Sequence, residues 1–98
     1  MKAQIYHLGY WCHITDPEFY QHTMRDMLQQ AGFGVCDFSE KHFEPHGYTC
    51  VYILEESHLA VHTFPEEHTA YIELSSCIQE PFDRFMQIFL AYQDRGSQ

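Results

Sequence analysis

The stretch from Tyr48 to Cys77, YTCVYILEESHLAVHTFPEEHTAYIELSSC, decides the fold. Its opening residues alternate. Val51 and Ile53 fall on one side and Cys50, Tyr52 and Leu54 on the other, the period of two that marks a strand over 48–55. Ser57 to Phe64 reads as a second strand and Thr69 to Cys77 as a third. Pro65-Glu66-Glu67-His68 is a short polar turn between them, and strands joined by about four turn residues pair as an antiparallel hairpin.

Upstream, Phe33 to Phe43 reads as a weakly patterned strand, closed by the turn Glu44-Pro45-His46-Gly47. A helix is expected over 16–31. Thr15 and Glu18 have capping-box spacing, and Pro17 suits the first turn, where its missing N–H costs nothing. Phe19, Tyr20, Met24, Met27, Leu28 and Ala31 recur at helical spacing, and Gly32 is the stop signal. Residues 3–12 form another strand, with Ile5, His7, Gly9 and Trp11 opposite Tyr6, Leu8 and Tyr10. Neither face is polar, so this strand is expected to be central or covered on both sides. A second helix is expected over 80–93, with Phe82, Phe85, Met86, Phe89 and Leu90 as its apolar stripe and Asp83, Arg84, Gln87 and Gln93 as its wet side. The tail from Arg95 should fray. The element order is β-α-β-β-β-β-α. That order predicts an α+β domain with an antiparallel sheet and both helices on one face.

A chain of 98 residues is one domain, and at that size it buries only about two-thirds of the surface of its unfolded form. With 45% hydrophobic and 19% charged residues it is globular rather than disordered. Fourteen acidic against five basic residues give a net charge of -9. That balance argues against nucleic-acid binding and against docking on anionic lipid. Neither a membrane-spanning apolar run nor a signal-peptide core is evident, so the expected location is the cytoplasm. Cys12, Cys36, Cys50 and Cys77 show no CxxC spacing, and each is expected to be a reduced, small core residue unless chemistry claims it. His42/His46 and His58/His62 have i,i+4 spacing. On a strand such residues lie roughly 13 Å apart, so no metal site is expected.

The segment Glu56-Ser57-His58, followed by an alternating strand and His62-Thr63-Phe64-Pro65-Glu66, closely resembles the self-processing segment of the S-adenosylmethionine decarboxylase proenzymes. Their signature is a Glu-Ser junction, a His, an apolar strand and His-Thr-Trp-Pro-Glu. Cys77 stands twenty residues after Ser57, at the position of the family's catalytic cysteine. Phe43, Pro45 and Gly47 match an aromatic-Pro-Gly turn, and Thr49 stands where small prokaryotic members usually carry serine. The resemblance covers roughly Tyr6 to Cys77 and is tight from 43 to 77. The chain departs from the pattern at Phe64 in place of Trp, at Ile78 in place of a Gly, and in ending before the strand that follows the family's second helix.

The resemblance implies internal serinolysis at Glu56–Ser57. Ser57 attacks the preceding carbonyl, which requires a strained, well-positioned peptide. Thr49 is the implied source of an oxyanion-stabilising hydroxyl. His62 then removes the Ser57 α-proton, which splits the ester and leaves a pyruvoyl group at residue 57. Residues 1–56 become a β chain and 57–98 an α chain. The pyruvoyl group is an electron sink for decarboxylation of S-adenosylmethionine, on the route that supplies aminopropyl groups for spermidine. Cys77 is the implied acid that reprotonates the product carbon. Phe43 is the implied adenine platform, Glu66 the ribose ligand, and aromatic faces suit the sulfonium. For Ser57 and His62, five residues apart, a regular strand sets opposite faces, so they meet only if the backbone bends. Two alternatives stay open. One is a relative that binds S-adenosylmethionine or a similar metabolite without processing, and the other is a pyruvoyl decarboxylase of another amino acid. The second face of the sheet carries too many apolar residues to stay wet, which predicts a homodimer, and the resemblance implies that the two protomers pack sheet to sheet as an α/β/β/α sandwich.

Overall fold

The computed structural model describes residues 4–96. The expected strand start at residue 3 and the last two residues of the tail lie outside them. Five strands are present among the described residues: β1 (Tyr6–Cys12), β2 (Val35–His42), β3 (Tyr48–Leu54), β4 (Ser57–Phe64) and β5 (Thr69–Ser76). They form one sheet in the order β1-β5-β4-β3-β2, and every neighbouring pair is antiparallel. The helices α1 (Met24–Ala31) and α2 (Gln79–Gly96) lie on one face. This is the α+β architecture that the sequence pattern predicts.

β1 differs from expectation. Among the described residues it pairs only with β5 and is an edge strand. Tyr6, Leu8, Tyr10 and Cys12 turn toward the helices, while His7, Gly9 and Trp11 are exposed. Its outward apolar residues therefore mark an uncovered face, not a central position. β2 is the other edge. A register shift between Val35 and Asp37 leaves Cys36 unpaired, and its thiol is exposed rather than part of the core. Such a bulge blunts an edge against further pairing.

The helices start and stop for local reasons. The first helical segment opens at Pro17, and the Asp16 carboxylate accepts the Glu18 amide at 3.1 Å. Asp16 is thus the cap, not Thr15 as the capping-box spacing suggests. A π-helical turn, Phe19–Thr23, precedes α1. At the other end Gly32 sits at φ 105. The Gly32 and Phe33 amides close on the Gln29 and Leu28 carbonyls at 3.1 and 3.0 Å. This double closure needs a left-handed residue, which glycine adopts without a Cβ penalty. α2 runs past its expected end at residue 93. Its stripe is narrower than expected, because Leu90 is 40% exposed. Arg84, assigned to the wet side, instead donates to the Ala31 carbonyl at 3.0 Å and ties α2 to the end of α1.

The core lies between helices and sheet. Tyr20, Met24, Leu28, Phe85 and Phe89 pack on Tyr52, Leu59, Val61, Ile72 and Leu74. Truncating a buried phenylalanine such as Phe85 typically costs about 3–5 kcal/mol. The opposite face has no covering element among the described residues. It exposes Trp11, Ile53 and Phe64 at 61%, 50% and 39%. No helix is long and apolar enough to cross a membrane among the described residues.

Candidate active site

The residues singled out from the sequence fall at two ends of β4. At the first end, β3 and β4 are joined by Glu55 and Glu56, with Leu54 paired to Ser57. A two-residue connection forces an unusual backbone, and Glu56 adopts φ 55. A non-glycine residue there stores about 1–3 kcal/mol of strain. The strain sits directly before the Glu56–Ser57 peptide. The Glu56 carbonyl oxygen accepts the Cys77 amide at 3.0 Å. That is the carbonyl a neighbouring nucleophile would attack, and it is already polarised.

The Ser57 hydroxyl donates to Ser76 Oγ at 2.7 Å. Ser76 is almost fully buried and Ser57 half-buried. Cys77 follows β5 and is exposed. Ile5, Glu56, Ser57, His58, Ser76 and Cys77 line a concavity of about 220 Å³. Glu56, Ser57 and Cys77 are therefore brought together.

At the second end, Thr49 and His62 are cross-strand partners on β3 and β4, with Thr49 Oγ1 and His62 Nδ1 3.1 Å apart. When Nδ1 carries the proton it donates to Thr49. The Thr49 hydroxyl is then free to donate outward, and Nε2 is free to accept a proton. Both residues belong to the open face. Beside them, Tyr71 pairs with His62 and Trp11 with Tyr71. The Trp11 ring lies 4.9 Å from Tyr71 and 6.0 Å from Phe64, centroid to centroid. The Tyr71 phenol lies over Gly9, where a Cβ would overlap its hydroxyl. This close approach accounts for glycine in the middle of β1.

Phe43 and Glu66 sit in the two turns at this same end. Phe43 closes its turn by donating its amide to Gly47 O at 2.9 Å and, with Tyr48 and Thr63, lines a second concavity of about 370 Å³. Glu66 is paired with His46, whose Nε2 lies 2.7 Å from the carboxylate. Among the described residues, no group of three or more His, Cys, Asp or Glu is placed to hold a metal ion.

The two ends do not meet within one chain. β4 runs from Ser57 to Phe64 with unbroken register against β3 and β5. The bend that would bring His62 to Ser57 is absent. The two residues point to opposite faces and are separated by about 16 Å along the strand.

Burial sorts the remaining ionisable groups. It pushes the Cys50 thiol up to about 12 and the Tyr52 phenol likewise to about 12. Tyr20 and Tyr48 are raised by the same cause. These groups stay neutral at physiological pH and carry no acid–base chemistry. The exposed thiols are Cys36 and Cys77.

Sequence reasoning missed Ser76 and the His46–Glu66 pair. For Ser76 a signal existed, since it ends the inward row Ala70, Ile72, Leu74 and is the one hydroxyl in it. His46 and Glu66 are twenty residues apart with no local pattern to join them.

The sequence family described as S-adenosylmethionine decarboxylase matches residues 7–92. The S-adenosylmethionine decarboxylase proenzyme 2 of Bacillus anthracis is 38% identical over 64 residues, which are 65% of this chain and 52% of that protein. The S-adenosylmethionine decarboxylase proenzyme of Symbiobacterium thermophilum is 39% identical over 64 residues, 65% of this chain and 48% of that one. The chain thus spans about half the length of the curated relatives it matches. Among solved structures, the adenosylmethionine decarboxylase from Aquifex aeolicus shares the fold with a TM-score of 0.70 at 22% identity, covering 96% of this chain and 83% of that one.

Proposed function

We propose, on the premise that the chain belongs to the S-adenosylmethionine decarboxylase family, that it is a self-processing proenzyme which cleaves at Glu56–Ser57 and decarboxylates S-adenosylmethionine as a cytoplasmic homodimer. The single observation that carries this is the geometry of the junction. A hydroxyl side chain adjoins a backbone carbonyl that is polarised by the Cys77 amide and follows a residue at φ 55.

In the first step Ser57 Oγ bonds to the Glu56 carbonyl carbon and the Glu56–Ser57 C–N bond breaks. The hydroxyl proton ends on the freed amine, and an ester joins the two parts. The Cys77 amide stabilises the oxyanion as charge develops, a contribution worth about 2.7–4 kcal/mol where such donors have been removed. In the second step a base takes the Ser57 α-proton and the Cβ–O ester bond breaks, releasing the Glu56 carboxylate. The dehydroalanine left at residue 57 takes up water and releases ammonia, which leaves a pyruvoyl group there, with 1–56 as β chain and 57–98 as α chain. When formed, that group supplies an electron sink for decarboxylating a substrate that bears an α-amine. Glu56, Ser57 and Cys77 border the concavity in which such a substrate would react. Cys77, exposed at its rim, is suited to return a proton to the product carbon.

The base and the substrate-recognition groups belong to the opposite end of the sheet. Thr49 and His62 form a ready acid–base pair, and their distance from Ser57 in the same chain calls for a second copy. Two protomers packed open face to open face, related by a two-fold axis that crosses the strands, would set the His62 end of one against the Ser57 end of the other, where the base approaches the Ser57 α-carbon and not its hydroxyl, which points to the helix side. The exposed Trp11, Ile53 and Phe64 support that packing, since apolar side chains at this exposure favour burial. Phe43 then offers a stacking surface for adenine and Glu66 an acceptor for ribose hydroxyls.

Intact mass spectrometry tests the processing. Two polypeptides divided between 56 and 57, with the second blocked at its N-terminus, are expected. Carbon dioxide release from S-adenosylmethionine, and not from ornithine or arginine, is expected of the processed material. A single intact mass after prolonged incubation contradicts the reading and leaves S-adenosylmethionine binding by the unprocessed chain.

A further inference from the structure

We infer that Ser76 is a positioning residue for self-cleavage, holding the Ser57 hydroxyl in the orientation from which it attacks. The inference rests on the self-processing reading and extends it to a residue outside the catalytic set.

The hydrogen bonds around Ser76 leave it one role. The Ile78 amide donates to Ser76 Oγ at 3.0 Å, and Ser76 Oγ donates its own proton to the Ile78 carbonyl at 3.0 Å. With its proton committed there, Ser76 can only accept from Ser57, and the Ser57 hydroxyl donates to it at 2.7 Å. Ser76 is 1% exposed, so water does not compete. A serine hydroxyl otherwise samples three staggered rotamers. Here the bond to Ser76 restricts it, and with the proton directed at Ser76 Oγ the oxygen lone pairs stay available for attack.

The adjacent residue completes the clamp. The Cys77 amide binds the Glu56 carbonyl oxygen at 3.0 Å. Ser76 and Cys77 thus hold the nucleophile and the electrophile of one reaction from consecutive positions in the chain. Ser76 is not a base. Its oxygen has no onward acceptor for a second proton, so the Ser57 proton goes to the departing amide nitrogen. Its contribution is orientation alone.

Ser76→Ala removes the acceptor and keeps the backbone. The net worth of one such hydrogen bond predicts self-acylation about five- to tenfold slower. Ser76→Thr keeps the hydroxyl and is expected to restore most of the rate. The experiment follows freshly translated full-length chain by intact mass, with hydroxylamine added to intercept the ester. Ser76→Ala should slow the hydroxylamine-dependent release of fragments and leave the later elimination from accumulated ester unchanged. Ser57→Cys supplies a readout that a packing role does not move. A thiol is a weak hydrogen-bond donor, so Ser76→Ala should matter less in that background. Thermal midpoints of Ser57→Ala with and without Ser76→Ala monitor folding independently of cleavage. Equal ester formation in wild type and Ser76→Ala overturns the inference, as does an equal slowing in the Ser57→Cys background. A wild-type chain that never cleaves, even in hydroxylamine, overturns the parent reading and this inference with it.

Discussion

The two ends of β4 differ in kind. The Ser57 end is locked: a left-handed Glu56, a buried Ser76 that fixes the hydroxyl, and an amide on the carbonyl. The His62 end is open, with Thr49, His62 and three aromatic rings on an uncovered face. A locked end suits a reaction of the chain upon itself, where every atom is already present and needs only orientation. An open end suits groups that must meet something arriving from outside, whether a substrate or a second copy. On the proposed reading, the bond-breaking atoms and the base are kept apart until two chains associate.

Substitutions at the two ends should therefore stop the chemistry at different points. Ser57→Ala removes the nucleophile, and no fragments should appear with or without hydroxylamine. His62→Ala leaves the nucleophile and removes the base. Chain should accumulate as ester and release fragments once hydroxylamine is added. Intact mass after the two treatments distinguishes them. An identical response from both variants would erase the division of labour.

A smaller effect is expected from the strain at the locked end. Glu56→Gly relieves the positive φ. In the Ser57→Ala background, denaturant unfolding should show a gain of about 1 kcal/mol. In the cleavable chain the same change should slow fragment appearance a few-fold. A loss of stability would show that φ 55 carries no strain there.

The smallest effect concerns the edge beside the open end. The Tyr48 hydroxyl, with help from the Gln21 amide, holds the Glu40 carboxyl below its ordinary value of 4.5. A depressed carboxyl adds stability above its unfolded value, and that contribution is lost as pH falls through the lower folded value. Tyr48→Phe should therefore reduce the difference in thermal midpoint between about pH 6 and pH 3. Glu40 is exposed, so only a small shift is expected. A variant with the wild-type pH profile would remove Tyr48 as the cause.

Much of this was legible in the residues. The alternation from Tyr48 to Leu54 and the turn at 65–68 carry the sheet, and helical periodicity carries the two helices to one face. The opposed directions of Ser57 and His62 follow from an odd spacing on a strand. Other features were not legible. β1 has apolar residues on both sides, and nothing local separates a central strand from an edge strand with an uncovered face. The cap at Asp16 competes with Thr15 one residue away, and only the geometry of the turn chooses. Cys36 is expelled by a bulge that has no marker such as glycine. The pairing of Ser57 with Ser76 depends on the register between β4 and β5, which alternation alone does not set.

The most direct test of the divided site is subunit mixing. Ser57→Ala chain and isotopically heavy His62→Ala chain are unfolded together, refolded and followed by intact mass. Conversion of only the heavy chain to a fragment blocked at residue 57 is expected, with neither variant maturing alone. Failure of the mixture to mature while wild type does so, or maturation of wild type as a strict monomer, would contradict the account.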